Sequence, residues 1–342
     1  MSKMNKVCVI GSGSWGSALS IVLAHNGYDV HIYGRSAEQV NEINTNKTNS
    51  SYLPGIVFPE NVVASNSLSE TVKDCELVVL AVPSQQVRGI IEKIAPFTKP
   101  EQILVNVAKG LEKETGLRLS QVAKSILPDN PYVLLSGPSH AEEVAKSIPT
   151  IVIAACEDMH NAQKVRNFFI TDTFKVYLNT DLVGIEISGA LKNIIAFGAG
   201  IADGIGFGDN TKAALITRGL YEITRLGLAM GAKYSTFNGM GGIGDLIVTC
   251  TSKHSRNWQA GYHIGSGKTL EETLAEVKMV VEGITITEVA HEIAKTLQVK
   301  MPIVESIYGV IEGHISPKEA AYSLMKRVKE DEFDGIELFS NF

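Results

Sequence analysis

The chain has 342 residues, of which 44% are hydrophobic and 20% charged, so it can bury large cores and suggests two domains of ~100–200 residues each. Its 31 Lys and Arg residues against 37 Asp and Glu residues give a formal charge of -6, which argues against a nucleic-acid binder but allows a local basic pocket. The four cysteines form no CxxC pair, and no apolar run approaches the ~18 residues of a membrane span or the ~7–15 of a signal peptide. We therefore expect a cytoplasmic protein without disulfides, a metal site or a membrane span.

Short apolar runs alternate with helical patterns along the first half of the chain. The predicted strands cover residues 6–10, 29–33, 76–82, 103–107, 133–135, 151–155 and 174–178. Helical patterns at 15–26, 85–94 and 158–169 lie between them. This alternation predicts a doubly wound, mostly parallel α/β sheet.

Long helical patterns replace the strands after about residue 181. They cover residues 182–201, 210–230, 284–297 and 302–311. We therefore predict an α/β domain over 1–180 and an all-helical domain over 181–342. The acidic residues from Lys329 onward lack a clear period, which predicts a poorly ordered tail.

Glycines mark the turn between the first strand and the first helix, in Gly11-Ser12-Gly13-Ser14-Trp15-Gly16. In such a turn the first glycine allows a tight bend, the second lets a pyrophosphate approach the backbone, and the third lets helix and strand pack closely. The free N–H groups of the helix N-terminus face the same turn. The turn therefore predicts a Rossmann-type NAD(P)-binding domain, with a ligand-free glycine turn as the alternative.

The second strand ends in His31-Ile32-Tyr33-Gly34-Arg35, without an acid. An NAD-preferring site usually carries Asp or Glu at this point, where it binds the ribose hydroxyls. Arg35 could instead pair with a 2′-phosphate and stack on adenine. We therefore predict NADPH as the cofactor, with NADH possible, and an ordinary surface arginine as the alternative.

Four further segments narrow the choice among dehydrogenases. Together with the glycine turn they resemble bacterial-type NAD(P)-dependent glycerol-3-phosphate dehydrogenase: Val107-Ala108-Lys109-Gly110-Leu111, Ser136-Gly137-Pro138-Ser139-His140-Ala141, Gly189-Ala190-Leu191-Lys192-Asn193, and Gly239 to Asp245 with His254-Ser255-Arg256-Asn257. The resemblance spans nearly the whole chain. It implies reversible hydride transfer between NAD(P)H and dihydroxyacetone phosphate, giving sn-glycerol 3-phosphate for phospholipid synthesis, and a homodimer.

Lys192 lies in a predicted helix that is almost free of other charges, Glu186 excepted. Burial lowers the pKa of a lysine, and a second cation nearby, here Lys109, lowers it further. The resemblance implies that Lys192 donates the proton to the carbonyl oxygen in reduction and accepts it in oxidation. A structural lysine paired with Glu186 remains the alternative.

The other motif residues have roles that the resemblance implies. Lys109, after a strand, would hold the substrate and stabilise the developing alkoxide, and Asp245 would orient Lys192 or a substrate hydroxyl, with Thr249 one helical turn on. The predicted phosphate ligands are Ser255, Arg256 and Asn257, and the other predicted substrate contacts are Gly137 and Ser139, although Ser139 could simply cap a helix. The predicted cofactor contacts beyond the turn are Arg35, Tyr52, Lys109, Ala141, Arg256, Val280 and Glu282.

Two other functions stay open at this point. One is a two-domain dehydrogenase for a hydroxy acid such as 6-phosphogluconate or for a 3-hydroxyacyl thioester, and the other is a non-catalytic NADPH sensor. His140 and His254 border the motifs and could act as acid–base groups, but Lys192 fits that role better. Retention of Lys109, Lys192 and Asp245 argues against the sensor.

Overall fold

The computed structural model describes residues 5–277 and 280–326. The strands in that part of the chain are β1 (Lys6–Ile10), β2 (Asp29–Tyr33), β3 (Val62–Ser65), β4 (Leu77–Leu80), β5 (Ile103–Asn106), β6 (Tyr132–Ser136), β7 (Thr150–Ala155) and β8 (Phe174–Asn179). They form one sheet in the order β3-β2-β1-β4-β5-β6-β7-β8. Neighbouring strands run parallel except β6 and β7, which are antiparallel. The predicted doubly wound, mostly parallel sheet is confirmed.

Helices cover both faces of the sheet. They are α1 (Ser14–His25), α2 (Ala37–Asn46), α3 (Leu68–Val72), α4 (Val87–Ile94), α5 (Leu119–Ile126), α6 (Ala141–Ala145) and α7 (Met159–Phe169). Alternate residues of β1 show why two layers are needed, because side chains of a strand point in turn to opposite faces. Val7 and Val9 pack in the core beneath α1, whereas Cys8 and Ile10 pack in the core beneath α4 and α5.

Beyond β8 the described chain is helical. The helices are α8 (Leu182–Ile205), α9 (Asp209–Ala229), α10 (Tyr234–Phe237), α11 (Asp245–Thr251), α12 (Arg256–Gly265), α13 (Leu270–Val277), α14 (Glu282–Thr296), α15 (Pro302–Ile311) and α16 (Pro317–Lys326), with a π-helical turn at Met240–Gly244 before α11. The 24-residue α8 is the central helix, and α9, α11, α12 and α14 pack around it. Within the described residues, as far as residue 326, the predicted helical fold of the second half is confirmed.

Helices α8 and α12 cross with their backbones almost in contact. A Cβ added to Gly200 would lie 2.0 Å from the carbonyl oxygen of Trp258, and one added to Gly261 would lie 2.0 Å from that of Phe197. Glycine is therefore required on both helices, and it holds the N-terminus of α12 beside the middle of α8.

Helix α8 is long and apolar enough to cross a membrane by length and composition. However, 94% of its most apolar 18-residue window is buried inside the protein. This burial is that of a core helix, packed against other helices and against strand β6.

Several elements are missing from the sequence prediction, among them strand β3 and helices α2, α3, α5, α13 and α16. The predicted strand 76–82 is longer than β4. Most predicted helix ends lie within a residue or two of those observed, although α8 continues four residues beyond its predicted end at 201. The predicted disordered tail lies outside the described residues.

Candidate active site

The candidate site lies where strands of the sheet end and the helical half begins. Lys109 follows β5 and Gly137 follows β6, and the Lys109 ammonium group donates a hydrogen bond of 2.8 Å to the Gly137 carbonyl oxygen. Ligands of open α/β sheets bind at this carboxyl edge. Helices α8 and α11 supply the opposite wall.

A buried carboxylate, Asp245, joins two lysines at the centre of the site. Its Oδ2 accepts a 2.8 Å hydrogen bond from Lys109 Nζ, and its Oδ1 accepts one from Lys192 Nζ. Lys192 also donates to Thr249 Oγ1 at 2.8 Å, and that hydroxyl donates to the Asp245 carbonyl oxygen at 2.6 Å. Because Lys192 is 6% exposed and Asp245 1% exposed, water cannot screen these charges, and the cluster is tightly positioned.

The electrostatics of the cluster place Lys192 near its titration midpoint at neutral pH. Burial lowers the pKa of Lys192 to about 7; the Asp245 carboxylate opposes that shift, and the Lys109 ammonium group adds to it. Burial alone would raise the pKa of Asp245, but the two ammonium groups outweigh it and hold that pKa below its usual range. A group with a pKa near 7 can both give and take a proton at physiological pH.

A chain of side-chain amides fixes the helices around the lysines. Asn193 Nδ2 donates to the Lys109 carbonyl oxygen at 3.3 Å, and Asn257 Nδ2 donates to Asn193 Oδ1 at 2.9 Å. Asn257 Oδ1 in turn accepts from the Gly283 N–H at 2.8 Å. The chain therefore ties α8, α12 and α14 to the loop after β5.

The N-terminus of α12 opens beside this amide chain. Ser255 is its N-cap, and the Ser255 hydroxyl accepts from the Trp258 N–H at 3.3 Å. Arg256, the first helical residue, is exposed, and within the described residues its guanidinium group makes no hydrogen bond or ion pair. A helix N-terminus with an available guanidinium group suits a phosphate.

The glycine turn has the shape that a dinucleotide requires. Gly11 has φ +116°, and a Cβ added there would lie 2.3 Å from the Ala81 carbonyl oxygen. A Cβ on Gly16 would lie 2.0 Å from the Gly11 carbonyl oxygen, whereas one on Gly13 would meet nothing within 4 Å. The turn is therefore packed on the protein side and open on the other, as a pyrophosphate cradle must be.

The remaining predicted cofactor residues lie around the turn and across the cleft. The Ser14 hydroxyl donates to the Tyr52 carbonyl oxygen at 2.6 Å, which holds the Tyr52 backbone at the N-terminus of α1. Arg35 is exposed just after β2, Ala141 begins α6, and Val280 is exposed before α14. Glu282 accepts from the Ser84 N–H at 2.9 Å and from the Ser84 hydroxyl at 2.5 Å, so it joins α14 to the loop after β4.

Comparison with known proteins identifies the family. Residues 6–162 match the model of the NAD-dependent glycerol-3-phosphate dehydrogenase N-terminus, and residues 181–322 match that of the C-terminus. The chain belongs to this family. It is 49% identical over 331 residues to the glycerol-3-phosphate dehydrogenase (NAD(P)+) of Carboxydothermus hydrogenoformans, covering 96% of this chain and 98% of the relative. The corresponding enzyme of Lysinibacillus sphaericus is 48% identical over 334 residues, covering 97% and 99%.

A solved structure supports the same family. The glycerol-3-phosphate dehydrogenase of Coxiella burnetii superposes with a TM-score of 0.91 at 32% identity, covering 95% of this chain and 99% of that chain. The resemblance inferred from the sequence motifs is thus confirmed.

Two alternatives that the sequence left open do not hold in the structure. Glu186 is not the partner of Lys192, because its carboxylate accepts from Arg118 at 2.6 Å and from the N–H and hydroxyl of Ser120. Ser139 does not cap α6, because its hydroxyl donates to the Gly137 carbonyl oxygen at 2.9 Å and His140 occupies the cap position without a side-chain bond.

Two polar residues of the site were not predicted from the sequence to have a functional role. Asn193 is buried beside Lys192 in an otherwise apolar helix, and a buried amide in such a helix is itself a signal of a polar network. Ser84 gave no signal, since its role depends on Glu282, 198 positions later.

The histidines beside the motifs are neighbours: the ring centroids of His140 and His254 lie 6.0 Å apart, and the rings are tilted by 58°. Burial lowers the pKa of His140. In residues 5–277 and 280–326, no group of three His, Cys, Asp or Glu side chains could hold a metal ion.

Proposed function

We propose that this protein catalyses the reversible, NADPH-dependent reduction of dihydroxyacetone phosphate to sn-glycerol 3-phosphate, which feeds glycerophospholipid synthesis. The observation that carries the proposal is the buried cluster of Lys192, Asp245 and Lys109 beside the N-terminus of α12, in a chain of this dehydrogenase family.

Bound nicotinamide supplies the hydride that reduces the carbonyl carbon of the substrate. Lys192 is the acid: its ammonium group donates to the carbonyl oxygen and gives up its proton as negative charge develops there. Thr249 and Asp245 hold Nζ of Lys192 in place. Lys109 lies beside the same oxygen and stabilises the alkoxide. In oxidation neutral Lys192 takes the proton back.

The substrate phosphate lies against Ser255, Arg256 and Asn257, with Gly137 and Ser139 on the other side of the substrate. When Lys192 is protonated, the formal charges of Lys109, Lys192, Arg256 and Asp245 leave an excess of two positive charges, which matches a phosphate close to −2. An acidic protein can therefore bind an anionic substrate at this point.

The glycine turn, with Gly11, Gly13, Ser14, Trp15 and Gly16, holds the pyrophosphate. Arg35 pairs with the 2′-phosphate, a role supported by its exposure at the end of β2. The other cofactor contacts are Tyr52, Lys109, Ala141, Arg256, Val280 and Glu282. NADH is the weaker cofactor, and hydride transfer requires no metal.

We place the boundary between the two domains at the end of the sheet. Residues 1–180 form the dinucleotide-binding domain and residues 181–342 the helical substrate domain, and both contribute side chains to the site between them. The boundary is supported by the end of β8 at Asn179 and the start of α8 at Leu182. We further propose that the protein is a cytoplasmic homodimer.

The test is the oxidation of NADPH and NADH, followed by absorbance, with dihydroxyacetone phosphate as substrate. We expect substrate-dependent oxidation with a higher kcat/KM for NADPH. Oxidation only with a hydroxy-acid precursor or a 3-ketoacyl thioester would replace the proposed substrate. NADPH binding without turnover of any carbonyl would identify a sensor.

A further inference from the structure

A brace of polar side chains, in which Asn49 is buried and Gln39 is half-buried, lies behind the glycine turn and binds Ser12. The Ser12 carbonyl oxygen accepts from Gln39 Nε2 at 2.7 Å and from Asn49 Nδ2 at 2.8 Å. The Ser12 hydroxyl donates to Gln39 Oε1 at 2.8 Å. Gln39 Nε2 also donates to Asn49 Oδ1 at 3.0 Å, and Asn49 Nδ2 donates to the Ser17 hydroxyl at 2.8 Å.

This arrangement sets the direction of the next peptide N–H. The peptide between Ser12 and Gly13 is trans, so its C=O and N–H point in opposite directions within one plane. Because Gln39 and Asn49 hold the carbonyl on the protein side, the Gly13 N–H points away from them, toward the open side of the turn. In the described residues that N–H has no hydrogen-bond partner.

The same brace connects the turn to Arg35. Gln39 lies in the first turn of α2, where its N–H donates to the Ser36 cap hydroxyl at 3.2 Å. Gly34 touches the turn directly, because a Cβ added there would lie 2.8 Å from Ser12 Oγ. The backbone before Arg35 thus packs against Ser12, and the helix after Arg35 is hydrogen-bonded to Ser12 through Gln39.

We propose that Gln39 and Asn49 are positioning residues for the dinucleotide: both aim the Gly13 N–H at the pyrophosphate, and Gln39 also sets the distance from the turn to Arg35 and so the preference for a 2′-phosphate. The proposal rests on the proposed function, which supplies the cofactor. Neither residue touches the reacting atoms.

The test is Gln39→Leu, which removes the side-chain hydrogen bonds that Gln39 makes to Ser12 and Asn49. We expect KM for NADPH to rise roughly tenfold and KM for NADH only about two- to threefold, in line with losing one or two neutral hydrogen bonds. The substrate KM and kcat at saturating NADPH should stay within about twofold. A second variant, Gly34→Ala, should lower the same preference ratio, because its Cβ pushes the Arg35 segment away from Ser12.

The control is Asn44→Ala on the same helix. Asn44 bonds to Ala64 of β3 through its side chain, at 2.8 and 2.9 Å, and not to the turn. We expect it to lower stability without changing the ratio of the two KM values. Equal changes for NADPH and NADH in both Gln39→Leu and Gly34→Ala, or the same ratio change in Asn44→Ala, would overturn the proposal.

The wild-type ratio separates this proposal from the proposed cofactor. Wild-type enzyme that favours NADH would contradict the NADPH assignment on its own. The brace is judged by the change from wild type to variant, whichever cofactor is preferred. Inhibition by adenosine 2′,5′-bisphosphate provides a direct probe, and we expect it to weaken in Gln39→Leu more than inhibition by AMP.

Discussion

Replacing Asp245 with asparagine tests the charge balance of the site. The change keeps the shape of the side chain but leaves two buried ammonium groups, of Lys109 and Lys192, without their carboxylate. Removing one partner of a buried ion pair typically costs about 3–5 kcal/mol. The protein can avoid part of that cost only by releasing a proton, and Lys192 releases it most easily because its pKa is already lowered to about 7.

The pH dependence of the loss follows from linkage. In Asp245→Asn the folded-state pKa of Lys192 falls further below its unfolded value, so the unfolded chain binds the extra proton. The free energy of unfolding therefore increases with pH above the folded-state pKa of Lys192, where the folded protein has lost the proton and the unfolded chain still holds it. Wild type begins this rise only at about pH 7, so the deficit of the variant should be largest, about 3–5 kcal/mol, under acidic conditions and should shrink toward neutrality.

Urea denaturation of wild type and Asp245→Asn across acidic and neutral pH measures this deficit. In parallel, kcat for dihydroxyacetone phosphate reduction at neutral pH should fall roughly 100-fold or more, because neutral Lys192 cannot act as the acid. The variant's optimum should move to lower pH. A deficit that does not change with pH, together with an unmoved pH–rate profile, would refute the charge coupling between Asp245 and Lys192.

Three further measurements test the proton donor, the phosphate site and the glycine turn. In wild type, kcat for reduction should decline as pH rises through about 7, because Lys192 loses its proton there. Over the same range kcat for oxidation should increase. Parallel pH profiles in the two directions would contradict Lys192 as the acid–base group. Arg256→Ala should raise KM for dihydroxyacetone phosphate by roughly 10- to 100-fold, the value of one charge-assisted bond, and steady-state kinetics with unchanged KM would remove Arg256 from the phosphate site. Gly16→Ala should weaken NADPH binding measured by fluorescence and destabilise the protein by about 1–3 kcal/mol, because its Cβ would lie 2.0 Å from the Gly11 carbonyl oxygen; unchanged binding would count against the tight turn.

The sequence predicted best what depends on local pattern. Strands β1 and β2 are continuous short apolar or alternating runs, and their predicted bounds are those observed. Helix α2 was missed because it buries only Ile43 and so shows almost no apolar periodicity. The β3 strand has only four residues, Val62–Ser65, too few for a clear alternation.

Side-chain contacts between residues far apart in the chain could not be predicted from the sequence pattern. The partner of Glu186 is Arg118, 68 positions earlier, and only the packing of α8 against the start of α5 brings them together. In the same way Lys192 and Asp245 are 53 positions apart. The family resemblance implied that Lys192 and Asp245 belong to one site. Their contacts, and the brace of Gln39 and Asn49, are seen only in the structure.

Lys192→Met tests the central claim most directly. The substitution removes the acid but leaves Lys109 and Asp245 as a balanced pair, so the fold should persist. The measurement is kcat for reduction of dihydroxyacetone phosphate at saturating NADPH, with NADPH binding followed by fluorescence. We predict that kcat falls by roughly 100-fold or more while the Kd for NADPH stays within about twofold. Turnover close to that of wild type would contradict Lys192 as the proton donor.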